Sequence, residues 1–354
     1  MTWRECRLGD LFRLQRGHDL PAQDRKDGEV PIVSSSGVTG YHNAAKAASP
    51  GVVTGRYGTL GEVFFLDRDY WPLNTALYVT DFKGNDPNFA AYFLRNVLKD
   101  YQSDKAAVPG IDRNVLHELR VRAPEHALQL RIVDMLATYD DLIDNNRRRI
   151  KLLEDSGRLL FDEWFVRLRF PGCPRVASFD DVPEGWQRLP MEQVLFLQRG
   201  FDLPIQDREE GAVPVYGASG INGFHNVAKV SGPGIVTGRA GSLGVVHFVP
   251  DDFWPLNTSL WVKEFRRASP RYAVHLLRSM NLDRYGQGAT MPMLDRKVVH
   301  QVEVLLPPSD LMTTFESLAT GVYDQIAILQ RQSQKLSTAR DLLLPRLMSG
   351  ELAV

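Results

Sequence analysis

The residues best suited to chemistry in this sequence lie in short glycine-rich segments. Residues 55–61 hold Arg56, Tyr57 and Thr59 among three glycines. An arginine and a hydroxyl beside free backbone amides suit a phosphate group, and an arginine also suits a guanine edge. The glycine spacing matches neither GxxxxGK[ST] nor GxGxxG, so no nucleotide-binding fingerprint is present. A tight turn that needs glycine only for its backbone is the alternative interpretation.

A second polar segment combines glutamine and arginine near a turn. Gln15 and Arg16 precede a glycine, and Arg25 follows further along. Glutamine and arginine pair bidentately with adenine and guanine in the major groove of DNA, so these residues are candidates for reading bases. A surface turn in which Arg25 pairs with Asp24 or Asp27 is the competing interpretation.

His42 and Asn43 follow a glycine further along the chain. No serine, cysteine or carboxylate stands at a spacing that indicates a triad, so a catalytic histidine is not expected. A structural or DNA-contacting loop is favoured instead. In the later Trp-Pro-Leu-Asn-Thr segment, Trp71 is interpreted as a core residue and Asn74 as a turn residue or base contact.

All of these segments occur twice in the chain. When the sequence is shifted by 183 residues, 39 of the 66 positions from 14 to 79 are identical without a gap. Chance does not produce such a match, so the chain contains an internal duplication. Two matching sets of DNA-contacting residues are therefore predicted. They are Gln15, Arg16, Arg25, Ser36, His42, Asn43, Arg56, Tyr57 and Thr59, and Gln198, Arg199, Arg208, Ser219, His225, Asn226, Arg239 and Ser242.

Each copy has the same predicted plan, with a mixed globular part followed by a long helix. Short β-rich runs come first, then an amphipathic helix at 87–99, then an apolar alternation that indicates a closing strand. After Pro124 and Pro307, apolar residues recur at steps of three and four, as in a coiled coil. The first such stripe is Leu128, Ile132, Met135, Tyr139 and Leu142.

The predicted fold class is α+β, with four segments along the chain. Two similar globular α/β domains at 1–123 and 171–306 alternate with helical regions at 124–170 and 307–354. The two long helices are expected to pair as an antiparallel coiled coil, which would give the internal repeat a pseudo-twofold axis.

Composition limits the possible functions. The formal net charge of −1 counts mildly against nucleic-acid binding, so positive charge would have to be clustered on one face or supplied by a partner. The basic run 147–149 is either a solvated helix face or a contact to DNA or a partner. The sequence holds two cysteines and no metal-spaced cluster, P-loop, signal peptide or apolar span. No cofactor, metal or membrane contact is expected, and a cytoplasmic location fits.

Three further stretches carry a resemblance to a known family. They are residues 342–352 (LLLPRLMSGEL), residues 160–172 (LFDEWFVRLRFPG) followed by 182–186 (VPEGW), and the twin Thr-Gly-Arg-x-Gly-x-Leu-Gly segments. Because all of these stretches occur along one chain, the sequence resembles type I restriction-modification specificity subunits over essentially its whole length. The resemblance implies a non-catalytic protein with two target-recognition domains, each reading half of a bipartite sequence in double-stranded DNA.

The resemblance also implies partners. Two methyltransferase (modification) subunits would dock on the long helices, bind S-adenosylmethionine and methylate adenine, and an ATP-dependent restriction and translocase subunit would join through them. None of these small ligands is expected to bind this chain. Because the two domains are unusually alike, we expect a near-palindromic target with half-sites about one helical turn apart.

Two other classes of function stay open from sequence alone. A duplicated glycine-loop hydrolase or nucleotide-binding protein would show activity or ligand binding with this chain alone. A scaffold or antagonist of the same fold would bind partners through its helices without reading DNA. The near-neutral charge is the best support for the scaffold.

Overall fold

The computed structural model of the protein describes residues 3–57, 61–99, 110–172, 182–288 and 292–354. Short strands alternate with turns in each globular repeat, as the sequence predicts. The strands are β1 Trp3–Arg7, β2 Arg13–Arg16, β3 Val30–Ser34, β4 Gly37–His42, β5 Gly51–Gly55, β6 Val63–Leu66, β7 Trp71–Pro72, β8 Ala76–Asp81, β9 Arg120–Pro124, β10 Gln187–Pro190, β11 Leu195–Arg199, β12 Val213–Gly217, β13 Gly220–His225, β14 Gly234–Gly238, β15 Val246–Val249, β16 Trp254–Pro255, β17 Ser259–Phe265, β18 Gly286–Gln287, β19 Met293–Leu294 and β20 Glu303–Leu306.

Two long helices and several short ones accompany these strands. They are α1 Leu8–Leu11, α2 Pro87–Leu98, α3 Arg113–Glu118, α4 His126–Phe161, α5 Met191–Val194, α6 Pro270–Ser279, α7 Arg296–Gln301 and α8 Ser309–Ser349. Short 3-10 turns lie at Ala22–Asp24, Ile205–Asp207 and Leu282–Tyr285, and a π-helical turn at Asp162–Val166 follows α4. The helix expected at 87–99 and the strands expected before Pro124 and Pro307 are confirmed.

Packing divides the chain into two compact units. The first is Met1–Arg147 with Arg331–Val354, and the second is Arg148–Gln330. Because both boundaries fall inside long helices, each unit contains one globular repeat and segments of both α4 and α8. The predicted segments divide the chain near the starts of α4 and α8, whereas the compact units divide within those helices. The predicted boundaries stay a prediction.

The same strand topology appears in both units. The first unit has a four-stranded sheet in the order β2-β8-β5-β6 and a three-stranded sheet in the order β4-β3-β7. The second unit has β11-β17-β14-β15 and β13-β12-β16. In each repeat the strand before the long helix pairs antiparallel with the first strand, as β9 with β1 and β20 with β10. The duplicated sequence therefore builds the same pair of sheets twice.

Helix starts follow from local sequence. At α2 the Asp86 carboxylate accepts a hydrogen bond from the Phe89 backbone N–H at 2.9 Å, and Pro87 occupies the first turn. At α3 the Asp112 carboxylate accepts from the Asn114 N–H at 2.8 Å. These carboxylates satisfy N–H groups that have no partner within the helix.

The core of the first unit includes residues of both long helices. Leu128, Ile132 and Leu136 of α4 and Leu347 of α8 are buried in one cluster with Phe93 of α2. Burial of apolar side chains is the main force that stabilises such a cluster. The helices are therefore part of the domain core.

The predicted apolar stripe of α4 is partly wrong. The buried positions continue through Leu136 and Ile143, whereas Leu142 is 45% exposed and Met135 and Tyr139 are only half-buried. Two neighbouring faces of the helix are apolar here, and the strict heptad spacing selected residues from the more exposed one.

The second unit has a core rich in aromatic rings. Phe161 of α4 lies 5.4 Å from Tyr272 of α6 and 5.9 Å from Phe315 of α8, measured between ring centroids. His275 joins them, with its ring stacked on Phe161 at 5.6 Å. Burial, with a smaller contribution from the charge of Arg278, lowers the pKa of His275 to about 3, so the ring is neutral in the folded chain.

The low pKa of His275 predicts that the stability of the second unit depends on pH. Above about pH 6.5, the pKa of histidine in an unfolded chain, the ring is neutral in both states. Below that pH the unfolded chain binds a proton that the folded chain excludes, so the free energy of unfolding falls. Relative to a His275→Phe variant, the free energy of unfolding should fall by about 1.4 kcal/mol per pH unit below pH 6. Urea unfolding at pH 7 and pH 5 measures this difference, and an equal gap at both values would contradict it.

Candidate nucleic-acid interface

The predicted Gln15 and Arg16 lie exposed at the end of β2, before a tight turn. A Cβ at Gly17 would lie 2.1 Å from the Leu73 carbonyl oxygen, so this close approach requires glycine. The Asp19 carboxylate lies 3.6 Å from the Arg16 guanidinium, and it also accepts from the Asn74 amide. One acidic residue thus contacts both the arginine and the neighbouring loop.

The second repeat builds the same arrangement. Arg199 lies 3.9 Å from Asp202, which accepts from the amide of Asn257. Gln198 precedes Arg199 on β11 and is half-buried. The charge on each arginine is partly balanced, but half of each side chain stays open to solvent.

Arg56 is held by its backbone at the end of β5. Its N–H donates to the Thr75 carbonyl at 2.8 Å, and its carbonyl accepts from the Ile111 N–H at 2.9 Å. The guanidinium lies 4.4 Å from the ring centroid of Tyr57. A cation over an aromatic face loses conformational freedom while keeping its donors available.

The structure brings the predicted Arg16, Arg56 and Tyr57 together on one cleft of about 290 Å³. Arg113 and Asn114 of α3 line the same cleft, and sequence reasoning did not select them. The repeated Asp-Arg pair at 112–113 and 295–296 was the available signal. The cleft therefore contains three arginines. Thr59 lies outside the described residues.

The matching loop of the second repeat differs in one packing detail. Arg239 again donates its N–H to a threonine carbonyl, that of Thr258, at 2.9 Å. Its guanidinium donates to the Asn257 carbonyl at 3.3 Å. Ala240 pairs with Met293, where Tyr57 pairs with Gly110 in the first repeat, so the large side chain has moved to the opposite strand. Ser242 is exposed.

The hairpins β3–β4 and β12–β13 present a second exposed surface. Ser36 and Ser219 lie exposed in their turns. Beside them, large apolar side chains point to solvent, and sequence reasoning did not select them. They are Val38 and Tyr41 in the first repeat, and Ile221 and Phe224 in the second.

Arg208 is fixed in the second repeat by a residue that the first repeat lacks. Its Nη2 donates to the Asn222 side-chain oxygen at 3.1 Å, and its Nη1 donates to the Asn222 carbonyl. Thr39 stands at the equivalent position in the first repeat, so its side chain cannot orient Arg25 in the same way. The two repeats therefore differ in how firmly this arginine is held.

His42 and His225 support the loops from inside. Their rings are only 6% and 7% exposed, and each Nδ1 accepts a backbone N–H at 3.1 Å, from Lys26 and Glu209. The imidazoles are therefore enclosed by the protein, and a contact of either histidine with DNA stays a prediction. Trp71, against which His42 packs edge-on at 5.2 Å, is buried as predicted.

The asparagines that follow these histidines stay at the surface. Asn43 and Asn226 are both exposed. The Asn226 amide donates to the Glu209 carboxylate at 2.5 Å. Lys26 occupies the equivalent position in the first repeat, so the amide of Asn43 has no matching acceptor there.

A second pair of histidines positions the strands that carry the glutamine and arginine. His117 Nε2 accepts from the Leu14 N–H at 3.0 Å, and His300 Nε2 accepts from the Leu197 N–H at 2.9 Å. Burial lowers the pKa of both rings, which favours the neutral acceptor form. Sequence reasoning missed both, although they lie 183 residues apart.

His117→Phe tests this positioning role. The change leaves the Leu14 N–H without its acceptor, which typically costs about 1–3 kcal/mol. Amide hydrogen exchange at Leu14 should therefore become at least about tenfold faster, while His126→Phe, an exposed change at the start of α4, should leave it unchanged. Unchanged Leu14 protection in His117→Phe would show that another group holds the strand.

Across the described ranges, no group of His, Cys, Asp and Glu is arranged to hold a metal ion. Within those same ranges, none of the helices combines the length and apolar character that a bilayer crossing requires.

Comparisons with known proteins agree with one another. The family model described as type I restriction modification DNA specificity domain matches residues 1–155. The MjaIX type I restriction enzyme specificity subunit of Methanocaldococcus jannaschii is 23% identical over 295 residues, which cover 75% of this chain and 68% of that protein. The EcoprrI specificity subunit of Escherichia coli is 24% identical over 144 residues, covering 39% of this chain and 36% of its own.

A solved structure shares the fold. The type I restriction-modification system S subunit from M. genitalium superimposes with a TM-score of 0.57 at 17% sequence identity, covering 98% of this chain and 96% of its own. At this identity the likeness supports the mixed helix and strand architecture alone.

Proposed function

We propose a function from the premise that this chain belongs to the family of type I restriction-modification specificity subunits, which are non-catalytic. Each globular repeat binds one half of a bipartite target in double-stranded DNA. The long helices hold two methyltransferase subunits, and a restriction and translocase subunit joins through them. The four predicted segments are the two recognition domains and two helical regions of this assembly.

The proposal rests on one observation: each repeat places an arginine at an exposed strand end, with a carboxylate beside it. Arg16 with Asp19 recurs as Arg199 with Asp202. A duplicated enzyme would be expected to repeat a catalytic arrangement, whereas these repeats share donors suited to DNA. The same arginine and carboxylate positions recur in both repeats, although exposed ion pairs of this length restrict the side chains only weakly.

The two exposed surfaces of each repeat suit different parts of DNA. The cleft is lined by Arg16, Arg56 and Arg113 against one carboxylate, that of Asp112, so it has a positive surplus suited to phosphate oxygens. The hairpin with Ser36 and Tyr41 offers hydroxyl and apolar groups, which suit base edges and the thymine methyl group. We assign phosphate contact to the cleft and base contact to the hairpin and to Gln15.

Arg56→Gln tests the DNA assignment in the complex with its modification subunits. A lost phosphate contact should weaken binding to all sequences alike and reduce the slope of log K against log salt by about 0.9. Fluorescence anisotropy across a salt series measures both. Arg68→Gln is the matched control, because strand register places the turn after Leu66 at the opposite end of the sheet from Arg56. Equal slopes for all three proteins would contradict the assignment.

The likeness of the repeats supports a near-palindromic target. Readers of similar structure in inverted orientation should select similar half-sites, about one helical turn apart. The halves can differ only where the repeats differ, at pairs such as His18/Phe201, Ala22/Ile205, Ser34/Gly217, Thr39/Asn222 and Tyr57/Ala240.

Selection of bound DNA from a random pool tests the symmetry. The complex should enrich two inverted half-sites that share most of their bases. Thr39→Asn should make the first half more like the second, because it supplies a side-chain oxygen for Arg25, as Asn222 does for Arg208 in the second repeat. Two unrelated half-sites would contradict the near-palindrome and leave DNA reading itself intact.

Contacts within each unit support an antiparallel pairing of α4 and α8. In the first unit, Asp140 pairs with Arg340, while the earlier Leu128 shares a core with the later Leu347. In the second unit, Phe161 lies against Phe315. We propose that these contacts belong to one coiled coil with a pseudo-twofold axis.

An exposed apolar groove supports docking of a partner on α4. Met135, Tyr139 and Leu142 line a groove of about 700 Å³ with Val354, and Arg131 and Asp134 lie beside them. Apolar helix faces with polar borders are typical of helix-on-helix interfaces. We assign this groove to a modification subunit.

Leu142→Asp tests the docking groove. A carboxylate there should reduce co-purification of the modification subunits at least about tenfold, because it would be buried without a partner in the complex. Leu152→Asp is the control, since Leu152 is 68% exposed on the same helix and lies outside the groove. Equal loss in both variants, or in neither, would exclude this site.

The alternative is a scaffold or antagonist of the same fold that does not read DNA. The net charge of −1 favours it. Such a protein would retain its partners but give no sequence-selective footprint.

A further inference from the structure

In the first unit, one polar set of three residues joins the globular repeat to both long helices. Tyr92 of α2 donates its hydroxyl to the Asp140 carboxylate of α4 at 2.5 Å. The other oxygen of Asp140 accepts from Arg340 of α8, whose side chain is only 17% exposed. Burial and the Asp140 carboxylate raise the pKa of Tyr92, so the phenol keeps its proton.

The same three positions in the second unit hold a different set. A shift of 183 residues replaces Tyr92 by His275, Asp140 by Tyr323 and Arg340 by Gly157. His275 Nε2 lies 3.4 Å from the Tyr323 hydroxyl. A Cβ at Gly157 would lie 3.5 Å from the same imidazole nitrogen, in ordinary contact with it, so a longer side chain would have to share that space with the ring.

These two sets are not interchangeable. With glycine in place of Arg340, the part-buried Asp140 would lose its cation. With arginine in place of Gly157, a guanidinium would press against the buried neutral ring of His275, close to Arg278, which already lowers its pKa. The first exchange leaves the Asp140 carboxylate without its cation, and the second brings a guanidinium into the space beside the His275 ring.

The exchange of helix segments makes this mismatch significant. Arg340 follows the second globular repeat in sequence but packs in the first unit, and Gly157 follows the first repeat but packs in the second. A globular repeat paired with its own kind of helix segment would therefore meet the wrong residue of each set.

We propose that the sets Tyr92–Asp140–Arg340 and His275–Tyr323–Gly157 are assembly keys. Each key fits a globular repeat to the helix segment contributed by the other repeat. It rejects the equivalent segment of its own kind, whether a second copy of this chain or a duplicated repeat supplies it. One consequence rests on the proposed function: an assembly that brings together two recognition domains of the same kind is disfavoured.

Hydrogen exchange of the full-length chain tests the keys. Gly157→Arg should lower protection at least about tenfold in residues 270–280 and 318–328, because the added side chain displaces His275. Adding His275→Tyr and Tyr323→Asp recreates the first key, so the triple variant should return to within about threefold of the natural chain. Gly321→Arg is the control for arginine at a helical glycine, because nothing beyond the neighbouring backbone of its own helix lies within 4 Å of its Cβ position.

The reciprocal set keeps the proposal testable if those variants fold poorly. Arg340→Gly should lower protection in residues 134–145, and adding Asp140→Tyr and Tyr92→His should restore it. If neither triple variant is better protected than its single parent, the residues are not keys. Because hydrogen exchange is measured without DNA or a partner protein, its result does not depend on whether the proposed function is correct.

Discussion

Each globular repeat completes its core only with side chains from both long helices, and the rest of the structure depends on this constraint. In the first unit, Ile132 of α4 and Met348 of α8 share a buried cluster with Phe89. In the second unit, Phe161 and Phe315 enclose Tyr272. Because apolar burial is the dominant stabilising force, neither repeat could lose the helix segment contributed by the other repeat without exposing its core. The helices are therefore structural parts of both proposed recognition domains.

The exposed polar residues stand on loops that buried residues hold in place. His42 accepts the backbone N–H of Lys26, which follows Arg25, and His117 accepts that of Leu14, which precedes Gln15. Arg16 lies beside Asp19, and Arg56 stacks on Tyr57. A binding surface with such internal support needs little reordering when it meets its ligand. The second repeat has the same support, which is why we assign both repeats the same task.

Much of this architecture could be predicted from sequence, because the chain contains it twice. The duplication gave the matching loops, and amphipathic spacing gave α2. The burial of His42 could not be predicted, since a polar residue after glycine suits a surface loop equally well. The roles of His117 and His300 depend on partners 103 residues away. The stripe on α4 was misassigned at Leu142 because two adjacent helix faces are apolar, and only tertiary packing decides which is covered.

We propose that this chain directs adenine methylation to a bipartite DNA target. The decisive experiment is a genome-wide map of methyladenine in strains with and without the gene. If the claim is correct, one gapped motif with two separated halves is methylated only when the gene is present. Identical maps in both strains, with the modification subunits expressed, would contradict DNA reading and favour the scaffold.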